Sequence, residues 1–300
     1  MGLTLGEGGT PLVAAPRMSE ALGIELWLKC EGLNPTGSFK DRGMAVAVGR
    51  AAERGALAVV CASTGNTAAS AATYAARAGV ACIVLTPEGA TATAKRAQAR
   101  AAGAHVLEVR GTFDDTLQLA RELAERDGYV LVNSLNPDRL EGQKTVVGEI
   151  VEQLGETPDT IALPYGGGGN VSAVASTGVE SRLVAGQAAE RPTTFASAIR
   201  IGEPAHRARV DELRAAGELE VVSLSEDELR AAWLSLARVE GVFCEPASAA
   251  GIAALRKLGR RGGTAACIVT GHGLKDAGAV DPSESLCIDA TLGAVLGAIR

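Results

Sequence analysis

The 300-residue chain is 47% hydrophobic and has a formal charge of −6 with no long run of either sign. It is long enough to bury a large core, and it lacks the basic footprint of a nucleic-acid-binding surface. No apolar run is long enough to span a bilayer, and no basic segment followed by an apolar stretch opens the chain, so neither a membrane protein nor a signal peptide is expected.

In chain order, residues 56–62 read as a buried strand, 63–67 as a polar turn and 68–78 as a helix ended by Gly79. The next strand is 80–86. A helix at 91–102 ends at Gly103, and 105–109, 112–126 and 129–133 read as strand, helix and strand. The second half repeats the theme. A strand at 160–164 leads into four glycines and a helix starting near Asn170. Helix 226–240 has Ser225 as N-cap with Glu228 three residues on, and helix 246–258 ends at Gly259 before a strand at 264–270. Residues 178–195 are weakly periodic and receive no assignment. Continuous apolar strands separated by helices, without hairpin turns, argue for parallel β-α-β units covered on both faces. The six cysteines form no C-x-x-C pair and lie mostly in apolar runs, so buried free thiols are expected. The three histidines are isolated and show no metal-ligand spacing.

Ligands of open α/β sheets bind at the carboxyl ends of strands. Three polar or glycine-rich segments fall there: Ser63-Thr64-Gly65-Asn66-Thr67, Gly166-Gly167-Gly168-Gly169-Asn170 and Thr270-Gly271-His272-Gly273. Turns favour these residues in any case, but three such loops raise the expectation of a shared site. Four consecutive glycines are costly to order, and they suit a place where backbone N–H groups crowd around an anion. A phosphate fits, although glycine runs also serve as linkers. The spacing matches neither a P-loop nor a dinucleotide fingerprint.

Lys40 follows the turn signals of Asn34-Pro35 and Thr36-Gly37. A lone lysine is ordinarily a solvated charge. A cation at a helix N-terminus is unfavourable, however, and with small neighbours and Phe39 around it the pKa would fall, which suits Schiff-base chemistry.

The segment Pro35-Thr36-Gly37-Ser38-Phe39-Lys40-Asp41-Arg42-Gly43 resembles the lysine motif of fold type II pyridoxal-phosphate enzymes. Further marks resemble the threonine synthases within that group: Ala62 to Thr67, Asn133-Ser134-Leu135-Asn136-Pro137, Arg139 to Thr145, Phe243-Cys244-Glu245-Pro246-Ala247-Ser248 and Thr270 to Asp276. The resemblance implies an α/β fold like the tryptophan synthase β subunit, with two open, mostly parallel sheets flanked by helices. It implies a larger domain of residues 1–40 and 136–300, a smaller inserted domain of 41–135, and a cytoplasmic homodimer. It assigns the Schiff base and proton transfers to Lys40, with Phe39 beside it. The cofactor's 3-oxygen falls to Asn66, its phosphate to Gly166, Gly167, Gly168, Gly169 and Asn170, and its ring nitrogen to Thr270. The substrate, O-phospho-L-homoserine, falls to Ser63, Thr64 and Thr67 through its carboxylate and to Ser134 and Arg139 through its phosphate. A dehydratase of the same fold, or a homologue that binds the cofactor without turnover, is the alternative. The stretch between Asn170 and Ile199, where the family fits a helix and a further strand, is short.

Overall fold

A computed structural model of the chain describes residues 2–89, 94–280 and 287–298. Strand β1 (Leu12–Ala14), helix α1 (Pro16–Leu22), strand β2 (Glu25–Cys30) and helix α2 (Lys40–Glu53) come first. Strands and helices then alternate as β3 (Ala58–Ala62), α3 (Asn66–Ala78), β4 (Ala81–Pro87), α4 (Ala94–Ala101), β5 (His105–Val109), α5 (Phe113–Ala124) and β6 (Tyr129–Leu131). Helix α6 (Pro137–Leu154) leads into β7 (Thr160–Pro164), α7 (Gly169–Ala175), β8 (Arg182–Ala188), α8 (Arg207–Ala215), β9 (Leu219–Leu224) and α9 (Glu226–Glu240). Helix α10 (Ala250–Leu258), strand β10 (Thr264–Val269) and helix α11 (Leu292–Ala298) follow.

The strands form two sheets, ordered β1-β2-β10-β7-β8-β9 and β5-β4-β3-β6. Every pairing is parallel except that of β1 with β2. The continuous apolar strands have the reason expected of them. In the larger sheet Ala162 and Val184 pack with Trp233, Leu236 and Ile252 of α9 and α10 on one face. Ile161, Leu163, Leu183 and Ala185 pack with Ile150, Val171 and Val210 of α6, α7 and α8 on the other.

Local signals set several boundaries. Ser225 accepts from the Glu228 N–H while the Glu228 side chain accepts from the Ser225 N–H, a capping box that starts α9 where the sequence places it. Thr112 and Asp115 start α5 in the same way. The helix expected at 91–102 is seen as α4, and residues 91–93 lie outside the described residues. The strand expected at 129–133 stops at Leu131. Beyond it the Asn133 carboxamide carries the pairing on, its Oδ1 accepting from the Ala62 N–H and its Nδ2 donating to the Ala62 carbonyl, both at 2.9 Å. The unassigned stretch 178–195 contains β8, and the short segment after Asn170 therefore holds both a helix and a strand, the helix reduced to seven residues. Five cysteines are buried as expected; Cys287 is exposed.

Two glycines bring α2 and α6 together. A Cβ on Gly43 would stand 2.5 Å from the Arg139 carbonyl oxygen, and one on Gly142 would stand 2.0 Å from that of Arg42. Beneath this crossing the Arg42 guanidinium pairs with Glu31 and Glu149, each at 2.6 Å, and Lys29 Nζ reaches Glu149 at 2.7 Å. The ion cluster ties the first turn of α2 to β2 and α6, so Lys40 and Arg139 start from a fixed frame.

Candidate active site

Lys40 is the first residue of α2, at the carboxyl side of a loop held from both ends. The Phe39 N–H donates to the Thr270 carbonyl at 3.0 Å, and Ser38 bridges to Gly271. The buried Asp41 carboxylate accepts from the Thr36 N–H, the Thr36 hydroxyl and the Ser70 hydroxyl, each at 2.6 Å. These bonds leave the Lys40 side chain half-buried with its Nζ 4.4 Å from the centre of the Phe39 ring. Burial, and then the nearby Arg139 charge, lower the Lys40 pKa from 10.5 to about 7 against the opposing pull of Glu245. An amine poised there is a nucleophile and a proton carrier at neutral pH.

The other residues singled out in the sequence lie on or just beyond the loops that follow four strands. After β3, Ser63, Thr64 and Thr67 lie half-buried at the start of α3, with the Ser63 hydroxyl accepting from the Gly65 N–H at 3.1 Å. Asn66, the first residue of α3, is buried; its Nδ2 donates to the Glu245 carboxylate at 2.9 and 3.1 Å, and its Oδ1 has no partner. After β10, the Thr270 hydroxyl lies 3.1 Å from that of Ser248. After β7, the glycine loop threads between α8 and the turn at Ser197–Ile199. A Cβ on Gly166 would meet the Ala198 carbonyl oxygen at 3.1 Å and Ile199 Cα at 3.2 Å, and Gly168 has φ +85°, which side chains rarely adopt.

After β6, Ser134 is half-buried and its carbonyl meets His206 Nε2 at 2.8 Å. Arg139, in the first turn of α6, is 0% exposed; its Nη1 donates to the Val132 carbonyl at 3.2 Å, while Nε and Nη2 have no partner. Burial lowers its pKa to about 10. Contacts join part of this set: Phe39 and Ser38 bond to Thr270 and Gly271, Asn66 bonds to Glu245, Glu245 and Arg139 act on Lys40, and Gly169 lies against Ser134 and His206.

Several residues of this region carried no sequence signal of their own. Glu245 stood inside a quoted motif without a role. Lys275 likewise stood inside a quoted motif without a role, Lys95 and Gln98 fell within the helix expected at 91–102 without one, and His206 was an isolated histidine. The Arg191 guanidinium lies 4.4 Å from the Tyr165 ring and donates to the Gly166 carbonyl at 3.2 Å, bracing the glycine loop from a stretch that had no assignment.

The residues fit pyridoxal phosphate. Lys40 offers an amine that is half neutral near pH 7. In the glycine loop a side chain at Gly166 or Gly168 would crowd Ala198, Ile199 and His206, and the buried Asn170 Nδ2 and Ser172 Oγ beside the loop lack partners. A neutral hydroxyl, Thr270, stands at the end of β10. Among the described residues no group of three metal-ligating side chains exists, and no helix is long and apolar enough to cross a membrane.

The fold and site define a pyridoxal-phosphate-dependent enzyme, and residues 3–271 match the family described as pyridoxal-phosphate dependent enzyme. The chain is 46% identical to the threonine synthase of Halalkalibacterium halodurans over 91% of its length and 84% of that protein. It is 49% identical to the threonine synthase of Mycobacterium leprae over the same shares. Maize serine racemase has the same fold, with a TM-score of 0.76 at 23% identity over 97% of this chain and 91% of that one. The chain belongs to the pyridoxal-phosphate dependent enzymes and, within them, to the threonine synthase family.

Proposed function

We propose that the chain converts O-phospho-L-homoserine and water to L-threonine and inorganic phosphate. The observation that carries this reading is Arg139, a fully buried guanidinium with two unpartnered nitrogens whose charge is felt at Lys40. An unpaired buried cation is costly, and a bidentate oxyanion is what its planar fork matches. A hydroxy-amino acid without a phosphate group, as a dehydratase takes, offers it nothing.

Pyridoxal phosphate, when bound, supplies an electron sink for charge developing on the substrate's carbon skeleton. Lys40 Nζ takes the proton from Cα, serves the proton leaving Cβ and the proton that Cγ gains as it becomes the methyl group once phosphate has left, and returns a proton to Cα at the end. Its pKa of about 7 suits it to both directions. Ser63, Thr64 and Thr67 hold the substrate carboxylate at the start of α3, where the helix N–H groups face outward. Arg139 and Ser134 hold the phosphate and take up the charge on the oxygen leaving Cγ. Water then adds at Cβ. Residues 41–135, as a smaller domain, close on the larger one and admit only that water. The working unit is a cytoplasmic homodimer, as the family resemblance implies.

The test is turnover of O-phospho-L-homoserine by the purified protein. Phosphate and threonine in equal amounts support the reading. Formation of 2-oxobutyrate from threonine as the main activity would replace it with the dehydratase reading.

A further inference from the structure

Helix α4 belongs to the layer of the smaller sheet, yet two of its side chains, one turn apart, reach residues of the larger sheet's loops. Lys95 Nζ lies 3.2 Å from Glu245 Oε2, 3.2 Å from the Ser197 hydroxyl and 3.7 Å from Asp276 Oδ2. Gln98 Oε1 accepts from Lys275 Nζ at 2.8 Å, and the same ammonium donates to the Thr36 carbonyl at 2.5 Å. Lys95 and Glu245 are 4% and 1% exposed. Taking both charges out of water is expensive, so a pair this buried is weak evidence for stability alone.

The other neighbour of Glu245 is Asn66. A primary amide has two N–H donors. The distances of 2.9 and 3.1 Å from Asn66 Nδ2 to the two oxygens of one carboxylate describe one N–H shared between them, which leaves the second N–H unengaged by Glu245. Without Glu245 the carboxamide could rotate and present its buried, unpartnered Oδ1 instead.

We propose that Glu245 is a positioning residue, which turns the Asn66 carboxamide so that its free N–H faces the cofactor's 3-oxygen, and that Lys95 completes the arrangement when α4 is docked across the cleft. The inference rests on the assignment of Asn66 made above. It makes α4 part of the cofactor site without touching the cofactor, because its cation is one residue removed from the amide that does.

The charged groups facing Glu245 come from four elements. Lys95 comes from α4 and Lys40 from α2. Lys275 and Asp276 come from the turn at Gly273–Ala279, and Arg139 of α6 stands behind Lys40. Glu245 favours the protonated Lys40 amine and Arg139 disfavours it. The pair therefore acts on cofactor bound at Lys40 with two signs: the carboxylate favours a proton there, and the Lys95 cation offsets that field.

The experiment is a pH titration of the cofactor's visible band in the holoenzyme, for wild type, Glu245→Gln, Lys95→Met, Lys95→Arg and Asn66→Ala. The midpoint is expected to fall in Glu245→Gln and rise in Lys95→Met, each by about one unit, the size of effect a close charge exerts. Lys95→Arg keeps the charge and should stay near wild type. Shifts of one sign in both variants, or none in either with unchanged circular dichroism, overturn the proposal. If Asn66→Ala also leaves the band and cofactor retention unmoved, the assignment of Asn66 is what fails. If Glu245→Gln does not fold, Lys95→Met decides alone, with a raised midpoint supporting the proposal and an unmoved or lowered one overturning it.

Discussion

Gly142 of α6 lies against the backbone of Arg42 in α2 so closely that a methyl group on it would stand 2.0 Å from the Arg42 carbonyl oxygen. This contact sets the distance between the helix that begins with Lys40 and the helix that carries Arg139. Gly142→Ala has to push the two apart. Overpacking of this kind costs about 1–3 kcal/mol, to be read from the midpoint of denaturant unfolding. Because Arg139 moves with α6, KM for the phosphorylated substrate should rise more than cofactor retention falls.

Arg139 itself should show a trade of stability against function. Its Nε and Nη2 are buried without partners, so Arg139→Met removes an unsatisfied cation from the interior. Stability should hold or increase. Turnover of O-phospho-L-homoserine should drop by the worth of one to two charge-assisted hydrogen bonds, about 2–4 kcal/mol in kcat/KM. A variant that loses stability while keeping full turnover would contradict the role given to Arg139.

Acid sensitivity should trace to the ion cluster under α2. Burial alone would raise the Glu149 pKa, but hydrogen bonds from Arg42, Lys29 and the Gly9 N–H bring it from 4.5 down to about 2. A folded-state pKa below the unfolded one means stability that is present above pH 4.5 and lost as pH falls toward about 2. Wild type should therefore lose stability across that window. Glu149→Gln should be less stable at neutral pH and should show a flatter dependence between the same limits, measured by thermal unfolding at a series of pH values.

The lowered pKa of Lys40 makes its own prediction. With the cofactor removed, the rate at which an amine reagent labels Lys40 should rise through a midpoint at about pH 7. Peptide mass spectrometry resolves this residue from the exposed lysines, whose labelling should rise only near pH 10. A Lys40 midpoint as high as theirs would mean that burial and Arg139 do not act on it as described.

What could be read from the chain alone follows a physical divide. The strand-end loops and the glycine run were legible because each is a local pattern, an apolar run followed by turn residues, and Lys40 because it sits in a contiguous turn-rich motif. Strand β2 was not, because Lys29 interrupts its apolar run and only the fold supplies the Glu149 and Gln153 partners that let the lysine be 0% exposed. Strand β8 ends in Gly186, Gln187 and Ala188, residues with little strand propensity; burial between α10 and the neighbouring strands outweighs that. The links among Lys95, Glu245 and Asn66 join three distant segments, and nothing in the spacing of those residues announces that they meet.

The central claim is that cofactor chemistry takes place at Lys40. The most direct measurement is reduction of the holoenzyme with borohydride, followed by peptide mass spectrometry and by the absorbance spectrum of Lys40→Ala. The reduced cofactor should be found on the peptide bearing Lys40, and the visible band should be absent from Lys40→Ala. A cofactor adduct on Lys95 or Lys275, or a band that survives the substitution unchanged, would contradict it.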